Sequence, residues 1–151
     1  MKILYAVQGT GNGHVSRARE IIPHLQNHGE VDVVISGTQS QVELPIEPKY
    51  RRKGFTFVLG KHGGIDLLKS LRCVSFTEFI RDIKTLPVHA YDLVISDFEP
   101  VSAWACQLQG KECIALGHQS SFFSSKTPRP HKKNIFGELA LKYFAPAAHH
   151  F

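Results

Sequence analysis

Gly9-Thr10-Gly11-Asn12-Gly13-His14, set between the apolar run Ile3-Leu4-Tyr5-Ala6-Val7 and a helix-patterned stretch opening at Val15, decides how this chain is read. The apolar run predicts a strand and the stretch after His14 predicts a helix. The glycines between them let the backbone turn tightly and keep its N–H groups accessible. A helix N-terminus formed there favours an anion, and an imidazole stands beside it.

Working outward, short apolar runs alternate with helix-length amphipathic stretches. Residues 2–8, 31–37, 55–60, 92–97 and 112–117 are strand candidates, rich in Val, Ile, Leu and Phe. Several are apolar on both faces, as buried parallel strands are. A helix over 15–27 places Val15, Ala18, Ile21, Ile22 and Leu25 on one face, with Pro23 expected to kink it and Gly29 to stop it. Ser75-Phe76-Thr77-Glu78 is a capping box, followed by Phe79, Ile80 and Ile83 at helical spacing. Pro100 suits a first helical position after Glu99, with Val101, Trp104, Ala105 and Leu108 as the buried stripe and Gly110 as the stop. A last helix is expected from about Asn134 through Leu139, Tyr143 and Phe144, while 38–54, with Pro45 and Pro48, reads as irregular. Strand and helix in alternation imply right-handed crossovers, hence an α/β fold: a doubly wound parallel sheet in three α/β/α layers, with expected strand order 3-2-1-4-5.

The composition suits one globular domain. The chain has 151 residues, 42% hydrophobic and 21% charged, enough to bury a core without staples. Cys73, Cys106 and Cys113 are scattered, with no CxxC and no metal-finger spacing, which predicts reduced thiols and a cytoplasmic setting. No run is long enough to span a bilayer, and the first apolar run is too short for a signal peptide. A net charge of +5 favours anionic partners, phosphorylated substrates, lipid headgroups or nucleic acid, of which nucleic acid is not expected.

In a doubly wound sheet, ligands sit outside the carboxyl ends of the strands at the point where the winding reverses. Those ends carry Gly9 to His14, Gly37-Thr38, Gly60 to Gly64, Ser96-Asp97-Phe98-Glu99 and Gly117-His118-Gln119-Ser120-Ser121. With strands one and four as neighbours, His14 and Asp97 project into one crevice. A carboxylate that accepts a hydrogen bond from one imidazole nitrogen leaves the other as a base, so these two are the catalytic candidates. Gly9, Thr10, Gly11, Asn12, Gly13, Phe98, Glu99, His118, Gln119 and Ser120 are candidates for phosphate or substrate binding. The blander alternative makes His14 and Asp97 helix caps, and His62 and His118 ordinary loop histidines.

Other chemistries fit less well. A nicotinamide-dinucleotide loop needs a glycine where His14 stands and an acidic residue after strand two, where Ser36-Gly37-Thr38 is found. No Gly-Lys-Ser/Thr follows the glycines, so a P-loop fails. Ser120 and Ser121 lack a serine-hydrolase elbow. No metal cluster is expected.

Met1 through Ile22, with Gly9 to Val15 at its centre, resembles the first strand–loop–helix of glycosyltransferases of the GT-B fold. It is most similar to the MurG-like, family-28-type branch and its uncharacterised relatives, with Gln8 and Asn12 standing where that branch has glycines. Asp97-Phe98 followed by Trp104 resembles the strand-four region of related small-molecule glycosyltransferases. The resemblance implies a Rossmann-like, acceptor-side half of a two-domain enzyme. It implies His14 as the base toward the acceptor hydroxyl and Asp97 as its orienter, with the amides of Gly11 to Gly13 facing a phosphate. It also implies a nucleotide-sugar donor, held mainly by a second, donor-binding domain. These residues encode one such unit, so the donor half is expected as a continuation or a separate chain, and transfer is not expected from this chain alone. A sugar-nucleotide epimerase half, or a non-catalytic domain binding a phosphorylated ligand or partner, are the alternatives.

Lys126, Arg129, Lys132 and Lys133 precede the apolar-rich helix from Ile135 to Phe144. Such a segment suits peripheral contact at the inner face of a membrane, with a lipid-linked or small-molecule acceptor. The competing expectation is that Ile135, Leu139 and Tyr143 pack on the sheet.

Overall fold

The computed structural model describes residues 1–10, 12–37, 42–54, 75–128 and 135–151. The chain forms β1 (Lys2–Gln8), α1 (Asn12–Gln26), β2 (Glu30–Ser36), β3 (Tyr50–Arg52) and α2 (Phe76–Thr85). A single turn at Val88–Ala90 leads into β4 (Leu93–Asp97), α3 (Pro100–Gln109) and β5 (Ile114–Ala115). The short α4 (His118–Ser121), α5 (Ile135–Tyr143) and β6 (His149–His150) follow. All pairings are parallel and the sheet order is β3-β2-β1-β4-β5-β6, a Rossmann-like arrangement.

β1 occupies the centre because it is apolar on both faces. Ile3, Tyr5 and Val7 pack with Val15, Ala18 and Ile22 of α1, and with Val33 and Ile95. Leu4 and Ala6 point the other way, into a second core with Val34, Ile83, Leu86, Val94, Val101, Ala105 and Cys106. Two cores on opposite faces make the three layers.

Several local expectations are corrected. α1 begins at Asn12 rather than Val15, which puts His14 inside the first helical turn. The helix continues through Pro23, where the missing N–H leaves only the carbonyl of exposed Arg19 without its intrahelical partner. The third strand of the sheet is Tyr50–Arg52, within the stretch expected to be irregular. The strand expected at 55–60 lies outside the described residues, as do His62 and Cys73. β5 is reduced to two residues, and the edge strand β6 was not expected. In α2 Ser75 caps the helix, its Oγ accepting from Glu78 N, while the Glu78 carboxylate accepts from Lys53; Phe76 and Ile80 are exposed and Ile83 is buried. Leu108 is likewise exposed, and Trp104 packs against the second core with Nε1 donating to the Tyr143 carbonyl at 3.1 Å.

Ile135, Leu139 and Tyr143 do not pack on the sheet; they are 71%, 48% and 50% exposed. Among the described residues no helix is long and apolar enough to cross a membrane.

Candidate functional site

β1 and β4 lie side by side, with Val7 opposite Asp97 in register. Their carboxyl ends therefore open together at the point where the sheet order reverses, and α1 starts just above them. Because α1 begins early, His14 leans from its first turn over Asp97. Nδ1 of His14 is 2.7 Å from Oδ1 of Asp97, whose side chain is 0% exposed while that of His14 is 16% exposed.

Arg17, one turn further along α1, completes the arrangement. Its Nε donates to Asp97 Oδ2 at 2.8 Å and its NH2 group donates to Asp97 Oδ1. Tyr5 OH also donates to Oδ2, at 3.3 Å. Burial alone would push the Asp97 carboxyl up, but the hydrogen bonds and charges of His14 and Arg17 hold it below the usual carboxylate range. Burial and the neighbouring Asp97 push the Tyr5 hydroxyl far up, so it stays a donor.

This geometry selects the tautomer of His14. A carboxylate oxygen only accepts, so its 2.7 Å contact requires a proton on Nδ1. The Arg17 NH2 group lies 3.0 Å from the same Nδ1 and also donates to Oδ1. In the neutral ring, Nε2 of His14 then carries the lone pair. Arg17 NH1 lies 3.3 Å from His118 Nδ1, and because guanidinium only donates, that nitrogen of His118 accepts.

The residue after Asp97 is held in an unusual conformation. Phe98 has φ 55, the left-handed region that costs a non-glycine residue about 1–2 kcal/mol. The turn brings its ring near-parallel to the His14 imidazole, with centroids 6.2 Å apart and planes 10° apart. Phe144 backs it at 4.8 Å. Gly117 faces the cluster from the end of β5. Its φ is 153, and a Cβ there would sit 3.1 Å from Arg17 NH2 and 3.2 Å from Asp97 Oδ1. Glycine is what allows the backbone to come this close.

The glycine loop is built differently from its sequence appearance. Gly9 is buried, its N–H donating to the Ser36 carbonyl at 2.6 Å; a Cβ would meet the Ser36 and Gly37 carbonyls at 3.0 Å. Gln8, which stands where the resembling family has glycine, shapes the loop by donating to Thr10 Oγ1 at 2.7 Å and accepting from Ser36 Oγ at 3.0 Å. Asn12 opens α1, and Gly13 is exposed with open space where a side chain would stand. Gly11 lies outside the described residues.

Two candidates are used internally, and a third, Gln119, stands beside the cluster, its Oε1 3.1 Å from where a Cβ on Gly117 would sit. Glu99 is fully buried, and its carboxylate caps α3 by accepting from Val101 N at 2.8 Å and Ser102 N at 2.6 Å. It is a helix cap rather than a ligand-facing group. Burial pushes its carboxyl up, against hydrogen bonds from Ser36, Ser102 and Val101. Ser120 is buried and donates to the Ala115 carbonyl at 3.4 Å. Gln119 Oε1 is buried with no hydrogen-bond partner among the described residues. The structure thus brings His14, Asp97, Phe98 and His118 together at one crevice and adds Arg17, Tyr5 and Gly117. The sequence signal for Arg17 was its i,i+3 spacing from His14 on the same helix face.

A cavity of about 760 Å³ opens on the same edge of the sheet, lined by Ile35, Gly37, Val42, Leu44, Arg51 and Arg52 among others. Gly37 borders both this cavity and the glycine loop. Among the described residues no group of three or more His, Cys, Asp or Glu side chains could hold a metal ion.

No curated protein and no solved structure matches this chain. A family model does, over residues 1–150, almost the entire sequence. A doubly wound parallel sheet, an imidazole–carboxylate pair at its reversal point and this match agree, and the chain belongs to glycosyl transferase family 1.

Proposed function

We propose that this chain is the acceptor-side domain of a nucleotide-sugar-dependent glycosyltransferase that passes a hexosyl group to an acceptor hydroxyl. The observation that carries this reading is the 2.7 Å contact between His14 Nδ1 and the fully buried Asp97, which leaves Nε2 free. In the step, the acceptor oxygen bonds to the anomeric carbon while the bond from that carbon to the nucleotide phosphate breaks. The hydroxyl proton moves to His14 Nε2, and the nucleotide leaves with the electron pair. Asp97 orients the ring and offsets the charge of the imidazolium that forms.

The donor is held mainly by a second domain, in the same or a separate chain. Gly13 and the start of α1 offer open backbone to a phosphate of the acceptor or of the leaving nucleotide. The Gly-His loop supports the MurG-like, family-28-type branch as the finer relationship. A lipid-linked acceptor at the inner face of the membrane fits the exposed Ile135, Leu139 and Tyr143, with Lys126 and Lys142 close to them in the chain.

The test is His14→Ala in the enzyme complete with its donor half. Turnover should fall by about 10²- to 10⁴-fold with acceptor affinity retained. Lost affinity with a normal rate at saturation would make His14 a binding residue and refute the base role. The 151-residue chain alone, given nucleotide sugars and acceptors, should transfer nothing.

A further inference from the structure

We propose that Arg17 is a positioning residue for His14: it clamps Asp97 in the one orientation that faces Nδ1, and it balances the carboxylate charge so that the imidazole need not. The inference deepens the reading of His14 as the base, but its geometry stands apart from that reading.

The clamp is two-pronged. Nε and NH2 of Arg17 each donate to a different oxygen of Asp97, which fixes the carboxylate plane. A carboxylate free to rotate would not keep one oxygen in line with Nδ1–H. The third arm of the guanidinium, NH1, is tied to His118. Arg17 is thus braced from α1 against β4 and α4 at once.

The charge argument follows from burial. Asp97 has no exposed side-chain surface. A buried carboxylate demands a cation. Among the described residues the charged and titratable groups around it are Arg17 and His14 from α1, Tyr5 from β1, and His118, which contacts Arg17. Phe98 covers the His14 ring and offers no charge. Arg17 gives the buried carboxylate a guanidinium counter-charge through two hydrogen bonds. With Arg17 removed, His14 is, among the described residues, the group left beside Asp97 that can answer its charge by taking a second ring proton.

The chain is small enough for ring-nitrogen NMR, which reads tautomer and protonation of His14 directly and needs no turnover. In the wild type, His14 should show the Nδ1–H pattern. Arg17→Gln should raise the ratio of doubly to singly protonated ring, at fixed near-neutral pH, by at least about tenfold. In an Asp97→Asn background the same Arg17→Gln change should raise that ratio by clearly less, since only the direct effect of the guanidinium 3.0 Å from Nδ1 is then removed. Arg17→Lys keeps the charge without the fork, so it should hold the protonation near wild type while admitting the Nε2–H tautomer. If Arg17→Gln does not fold, the tautomer mixture in Arg17→Lys remains the test. Ring-nitrogen signals of His14 unchanged in Arg17→Gln, or in Arg17→Lys where only that variant folds, overturn the proposal. A purely structural Arg17 would lower the melting temperature and leave those signals alone. An unchanged turnover in His14→Ala would instead remove the base role, whatever the NMR shows.

Discussion

Replacing Asp97 by Asn removes a charge and one acceptor while keeping shape, and its cost can be worked from the bonds described. Asp97 accepts four hydrogen bonds: one from His14, two from Arg17 and one from Tyr5. If the Asn oxygen stays on the His14 side, its NH2 group meets Arg17 Nε–H and Tyr5 OH. The tyrosine hydroxyl can turn and accept; the guanidinium cannot. One charge-assisted bond worth about 1.5–3 kcal/mol is lost, and the guanidinium loses its counter-ion. Breaking a buried pair costs about 3–5 kcal/mol, but Arg17 is 21% exposed and water can reach it, so about 2–4 kcal/mol is expected near neutrality. For a domain of this size that lowers Tm by roughly 4–16 °C.

The pH dependence has a definite sign. The native Asp97 carboxyl titrates below its ordinary value of 3.8, so its contribution is fully present above that value. It is lost as pH falls through the lower, native one. The Asn variant has no such titration. Urea unfolding followed by far-UV circular dichroism should therefore show a wide gap between wild type and variant near neutrality and a narrower one at about pH 2.5. An equal gap at both, or a gap below about 1 kcal/mol near neutrality, would refute the reasoning that ionised Asp97 anchors this cluster.

Two further outcomes follow from the same structure. Gly117→Ala puts a methyl against Arg17, Asp97 and Gln119 at a φ of 153, and should lower stability by about 1–3 kcal/mol in thermal melts; in the complete enzyme turnover should fall as well, and a variant as stable and active as wild type would show the cluster to be looser than described. The exposed Ile135, Leu139 and Tyr143 should bring the chain down with sedimenting anionic phospholipid vesicles and not with neutral ones, and replacing all three by Ser should abolish this; no lipid-dependent pelleting rejects a membrane-facing α5.

Much of the frame was readable from pattern because the informative elements are long or sharply punctuated. β1, with both faces apolar, could only be central, and consecutive strand–helix units left few ways to wind the sheet. Once β1 and β4 were neighbours, His14 and Asp97 had to share an edge. What escaped was short or polar. β3 is three residues, Tyr-Arg-Arg, and β6 is two histidines; both are held by backbone pairing with a neighbour and carry no hydropathic alternation. Arg17 drew no reading, since helical periodicity reports the core and is silent about which polar groups meet a partner from a distant strand. Gln8 read as a missing glycine, whereas in the fold it ties Thr10 to Ser36. Glu99 sat at a ligand-bearing strand end by position, yet Pro100 after it had already marked a helix start, and a buried start needs its amides satisfied.

The left-handed turn at Phe98 sets two demands on one position against each other. Glycine there would relax the backbone by about 1–2 kcal/mol. It would also erase the wall beside the imidazole and let Phe144 face a gap. The left-handed backbone at Phe98 is thus offset by the seating of its ring on Phe144 and serves to stand that ring alongside the imidazole.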